Sequence, residues 1–210
     1  MVRLGYHGSR TPTERVVRAA GRSPDEVDLV VYDIADPFAA LRAGEVDLMV
    51  VKFRIDEPDL VLGPTLVSDG RAAVLAAGHP LAARPSLSVE DLVDEELFAA
   101  PGRLPGYVWD QVVPPVTPSG RPLRRVHRVL TVAEMMRLVA GSSAVHLSVV
   151  SLADLAPPEV AVVPVSDLSP APVALAWRAT GTPAEALAFA ADAAGQAGTV
   201  PTASTAPSQA

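Results

Sequence analysis

Seven consecutive residues, His7-Gly8-Ser9-Arg10-Thr11-Pro12-Thr13, place an imidazole, a glycine, three hydroxyls and a guanidinium where an apolar run gives way to a helix start. Such a junction suits a carboxylate or another polar oxygen, because a helix N-terminus carries unpaired N–H donors and the positive end of its dipole. Gly8, Ser9, Arg10, Thr11 and Thr13 are therefore candidate ligand contacts. They also allow a plainer role, with Thr11 capping its helix and Arg10 in water. His7 adds a second chemistry, since imidazole exchanges protons near neutrality. Paired across a cleft with Asp33 or Asp36 it would be an acid–base catalyst; unpaired, it closes a strand end. His146, by strand alternation, faces away from Val145 and Leu147 and joins the candidate ligand contacts. His79 belongs to a His-Pro-Leu turn and is expected to be structural. Tyr107 and Trp109 either cap a hydrophobic ligand or build a helix core with Val108 and Val112.

Several chemistries are excluded. The chain has no cysteine, which removes disulfides, thiolate nucleophiles and cysteine-ligated metals. It carries no Gly-x-Ser-x-Gly elbow, no His-Glu-x-x-His pair and no Gly-x-x-x-x-Gly-Lys loop. No metal and no cofactor is expected. Its 24 acidic and 17 basic residues are interspersed, with a net charge of −7, so this chain itself is expected to bind no nucleic acid. No apolar run approaches the roughly 18 residues of a membrane span, and the N-terminus lacks the basic-then-apolar order of a signal peptide. No membrane partner and a cytoplasmic location are expected.

The elements that must position these residues are signalled locally. A hydroxyl followed three positions later by an acid marks helix starts at Thr11, Ser88, Thr131 and Thr182, and Asp36-Pro37 opens a fifth. Val132, Met135, Met136 and Val139 form an apolar stripe over 132–140. β-rich runs cover 2–6, 27–33, 46–53, 59–67, 71–77, 96–100, 123–130, 144–150, 160–165 and 173–179. Strands alternate with helices and several are apolar on both faces, which defines an α/β class with a covered parallel sheet. With 49% apolar content, 210 residues bury one sizeable core or two small lobes. The Pro-Gly-rich stretch 114–122 is a surface loop, and the small, polar, Pro-containing tail 198–210 is expected to be disordered.

The run LRAGEVDLMVV (41–51), with Gly44-Glu45-Val46-Asp47, and the later pieces His79-Pro80-Leu81-Ala82 and Glu90-Asp91-Leu92 resemble the effector-binding domain of LysR-type transcriptional regulators. MMRLVAG (135–141) and VALAWRA (173–179) extend the resemblance over residues 2 to about 196. It implies a type 2 periplasmic-binding-protein-like fold: lobe I of about 1–67 and 171–197, lobe II of about 68–170, two crossover strands and an inter-lobe cleft. It also implies a homodimer and the sensing of a small acidic or polar metabolite for transcriptional regulation. Carried over position by position, it supports Ser9 and Thr11 and adds Ile34, Asp36, Lys52, Pro101, Gly102, Arg103 and Val149 to the cleft. Asp36 is alternatively a helix N-cap, and Lys52 an ordinary strand-end lysine. Ile34 departs from a family hydroxyl, which makes that corner more apolar. Ala144 and Val149 replace a glycine and a proline, which reshapes the second-lobe wall. The family's helix-turn-helix has no counterpart here, and Met1 directly precedes the first strand. Three roles stay open: the sensing half of a regulator, a binding fold turned cyclase, isomerase or dehydratase, and a free-standing binding or dimerisation module.

Overall fold

The computed structural model describes residues 1–197, so the tail expected to be disordered, 198–210, lies outside the described residues. The chain opens with β1 (Arg3–Tyr6), α1 (Thr11–Ala19), β2 (Asp28–Val31), α2 (Ala39–Arg42) and β3 (Leu48–Lys52), then enters the long β4 (Leu60–Asp69). Past Gly70 come β5 (Arg71–Ala76), β6 (Glu96–Phe98), α3 (Gly106–Val112), β7 (Arg124–His127), α4 (Val132–Ala140), β8 (His146–Val149) and β9 (Val160–Pro164). It returns through β10 (Ala171–Arg178) to α5 (Ala184–Ala197). Every β-rich run read from the sequence contains a strand.

These strands make a five-stranded sheet ordered β2-β1-β3-β10-β4, a three-stranded sheet β8-β5-β9 and a two-stranded sheet β6-β7. β1 lies parallel to β2 and β3, whereas β10 runs antiparallel between β3 and β4. The first sheet forms one lobe and the two smaller sheets the other. Four of the five residues of β3 are buried, as a strand covered on both faces must be. One apolar core runs from Met49 and Val51 on β3 to Leu75, Leu147 and Val163 in the second lobe; a separate core lies under α1 and α5.

Local signals set some element ends and miss others. The capping box at Thr131 forms: its hydroxyl accepts from the Glu134 N–H at 3.2 Å, and the Glu134 carboxylate accepts from the Thr131 N–H at 3.3 Å. Met135, Met136 and Val139 on that helix are buried as the stripe requires. Ser88 forms the same box but starts only the four-residue 3-10 turn Val89–Leu92. Thr11 is corrected: it is the first helical residue, Arg10 is the N-cap without a side-chain cap bond, and the Ser9 hydroxyl accepts from the Thr11 N–H at 3.0 Å. Thr182 is also corrected, since its hydroxyl donates to the Arg178 carbonyl at 2.9 Å and α5 begins at Ala184. Asp36 is no side-chain N-cap; the helix after it has only four residues, and its carboxylate pairs elsewhere.

Candidate functional site

Between the five-stranded sheet and the smaller sheets lies a cavity of about 150 Å³. A cavity of that size, if apolar, holds one benzene-sized ring. Tyr32, Phe38, Met49 and Phe53 supply one side and Phe98, Trp109, Met135 and Leu152 the other. The polar ends of its large aromatics point into the fold: the Tyr32 hydroxyl donates to the Val50 carbonyl at 3.3 Å and the Trp109 indole to the Phe98 carbonyl at 3.1 Å. What these rings offer the cavity is apolar face.

Phe53 stands out in backbone terms. Its φ of +72° makes it the non-glycine residue with positive φ among the described residues. For a bulky side chain this is a strained conformation, of the kind retained where surroundings demand a particular side-chain position. Here the surroundings are the Arg71 guanidinium, 5.0 Å from the centre of the Phe53 ring, and the Pro172 carbonyl, which accepts from the Phe53 N–H at 2.9 Å.

Of the residues expected to meet a ligand, Gly8, Thr13, Ile34, Lys52, Pro101, His146 and Val149 line the cavity, together with His7. Ser9, Arg10, Thr11, Gly102 and Arg103 do not. Ser9 is buried and donates to the Asp154 carboxylate, from the 3-10 segment Val150–Leu155 of the second lobe. The Thr11 hydroxyl acts on the same carboxylate, and these two bonds hold Asp154 below the usual carboxylate range. The anion that this helix start attracts is thus supplied by the protein itself. Arg10 is exposed, 3.8 Å from Glu14. Lys52 lies 3.4 Å from Asp69 and donates to Ser151 at 3.2 Å; burial lowers its pKa, against the pull of Asp69.

The catalytic pairing is not assembled. Asp33 accepts from the Ala35 N–H at 2.8 Å and Asp36 pairs with Arg103 at 3.2 Å, so neither carboxylate hydrogen-bonds His7 among the described residues. Burial, then the nearby Lys52 charge, depresses the His7 pKa to about 4. Burial and Arg71 do the same to His146, also to about 4. Both imidazoles are neutral at pH 7. His146 meets the Phe98 ring edge-on at 5.1 Å and stacks with Trp109 at 6.0 Å. Its Nδ1 is buried with no hydrogen-bond partner among the described residues.

The lobes close over this cavity through polar contacts at its rim. Arg103 donates its backbone N–H to the Ala35 carbonyl at 2.6 Å, and Gly102, at φ +47°, lies against Ala35 so tightly that a Cβ there would fall 2.7 Å from that of Ala35. Gln111 exchanges two bonds with the Arg54 backbone, at 3.0 and 2.8 Å, and the Tyr107 hydroxyl donates to Glu57 at 2.7 Å. Tyr107 therefore fastens the rim while Trp109 walls the cavity, which divides the pair that the sequence left as one alternative. His79 keeps the structural role expected of it: its Nδ1 accepts from the Leu81 N–H at 3.2 Å.

A family model described as the LysR substrate binding domain matches residues 10–197. The chain belongs to the LysR substrate-binding domain family. Solved LysR-type structures share the fold. CbnR, a LysR family transcriptional regulator, aligns with a TM-score of 0.72 at 16% identity over 93% of this chain and 69% of that one. The effector-binding domain of QuiR in complex with shikimate aligns at 0.69 with 18% identity, covering 94% and 96%. The reduced OxyR regulatory domain from Pseudomonas aeruginosa aligns at 0.61 with 22% identity, covering 92% and 96%. Among curated proteins, none matches the chain in sequence. Within this LysR-type domain the cavity residues that sequence reasoning missed are Tyr32, Phe38, Met49, Phe53, Phe98, Met135 and Leu152. Tyr32, Met49, Phe53 and Phe98 lie in β-rich runs and Met135 in the apolar stripe, all of which read as core, whereas Phe38 and Leu152 lie in neither. Among the described residues, no helix is long and apolar enough to cross a membrane, and no cluster of side chains could hold a metal ion.

Proposed function

We propose that this LysR-type domain senses a small molecule held in the cavity between its lobes, and that closure around the molecule is the signal passed to transcription. The observation that carries the reading is the cavity itself, walled by both lobes and rimmed by polar contacts that a change of lobe angle would break. A ligand touching both walls favours the closed arrangement by its differential affinity. That the effector-binding domain of QuiR, which shares this fold, is solved in complex with shikimate supports a small-molecule ligand. In this role the domain works in the cytoplasm as a homodimer, and with a net charge of −7 it leaves DNA contact to other segments.

Ala99 lines the cavity and is partly exposed to it. Ala99→Leu should fill the cavity at little cost to the fold, because the added methyl groups occupy open apolar space. A thermal-shift screen of small metabolites should find molecules that raise the melting temperature of the native chain and leave that of Ala99→Leu unmoved. Equal shifts in both proteins would reject the cavity as the site.

A further inference from the structure

We infer that the cavity takes a neutral, ring-sized apolar molecule bearing one hydroxyl, and that the hydroxyl bonds the imidazole of His146. This rests on reading the cavity as the ligand site, and of the acidic or polar ligand expected from the sequence it keeps only the polar part, as a hydroxyl. Three positive features border the cavity, and each is already engaged. Lys52 faces Asp69 at 3.4 Å. The first turn of α1, where an effector carboxylate or another polar oxygen was expected, receives Asp154 through Ser9. Arg71 stays behind the wall, its guanidinium donating to the carbonyls of Ser148, Gln111 and Val112. A carboxylate entering the cavity would meet no free counter-charge and would lose its hydration among aromatic and aliphatic side chains, a large penalty.

The walls instead match an apolar ring in size and surface. His146 brings a neutral imidazole to the wall, neither of its ring nitrogens has a hydrogen-bond partner among the described residues, and such a group favours a ligand that completes a hydrogen bond. A neutral imidazole offers one donor and one acceptor, and a hydroxyl satisfies either.

Calorimetry with phenol, toluene and benzoate, three probes sharing one ring, tests this at neutral pH. Phenol should bind about tenfold more tightly than toluene, the ratio that one buried hydrogen bond supplies, and benzoate should bind more weakly than either. In His146→Leu the phenol preference should vanish while toluene affinity is kept, which shows that the cavity survives the substitution. Benzoate binding as tightly as phenol, or a phenol preference unchanged in His146→Leu, overturns the inference. If that benzoate binding disappears in Ala99→Leu, the cavity remains the ligand site and only the ligand class fails. Absence of heat from all three probes at millimolar concentration also overturns the class, whereas the cavity reading falls only if the metabolite screen fails as well.

Discussion

Arg71→Met should lower the unfolding free energy by about 1–3 kcal/mol, the range expected when buried acceptors lose their hydrogen-bond donor. Arg71 is 4% exposed and opens β5 directly after the crossing at Gly70. Its Nε donates to the Ser148 carbonyl at 3.1 Å and one terminal nitrogen to the Gln111 carbonyl at 3.1 Å; the other terminal nitrogen donates to the Val112 carbonyl. Gln111 and Val112 end α3, where carbonyls have no partner in a following turn. The guanidinium thus acts as a helix C-cap delivered from another strand, and it holds the Phe53 ring at the cavity wall. No carboxylate pairs with it, and burial lowers its pKa to about 10, which still leaves it charged at neutral pH. Methionine fills similar space but strands three carbonyls. Arg71→Lys, with a point charge in place of a planar fork, should lose less than the methionine variant and more than a surface substitution. Denaturant midpoints at unchanged m-value give the comparison.

Acid should weaken the domain through its two cavity histidines. A group whose folded pKa lies below its unfolded value takes up protons in the unfolded state first. For His7 and His146, with folded values near 4 against 6.5, the unfolded chain binds more protons between these limits. Stability therefore rises with pH across that window, is fully present above about pH 6.5, and is lost as pH falls toward 4. Each histidine contributes at most about 3 kcal/mol at neutral pH. Melting followed against pH should show the slope in the native chain. The double variant His7→Gln/His146→Leu should flatten the part of the slope between pH 6.5 and 5, where the carboxylates change little. A slope unchanged by the double variant would place the acid sensitivity elsewhere.

Legibility in the sequence followed the range of the interaction. Strands and the stripe of α4 depend on periodicity within one segment, so Met135, Met136 and Val139 could be placed on a buried face from spacing alone. The cap of α1 was read one residue late, at Thr11 in place of Arg10, because Ser9, Thr11 and Thr13 all carry hydroxyls and Arg10 gives no capping signal. Long-range partners left no local trace. Ser9 meets Asp154 145 positions away, and Asp36 meets Arg103 67 positions away. Those two contacts turned an expected ligand loop and an expected N-cap into parts of the closure. The alternation that set His146 apart from Val145 and Leu147 did bring a polar group to the cavity. Apart from Trp109, its apolar walls stayed hidden, because Met49, Phe53 and Phe98 have the same pattern whether they fill a core or surround a ligand.

The most direct test uses methionine methyl groups as reporters. Met49 and Met135 line the cavity, Met136 is buried away from it, and Met1 is exposed. In a carbon-13 methyl spectrum, titrating in the small molecule that most raises the melting temperature should shift the Met49 and Met135 signals together along one binding curve. Met1 and Met136 should stay in place. Saturable binding that leaves Met49 and Met135 unmoved would contradict a ligand site between the lobes.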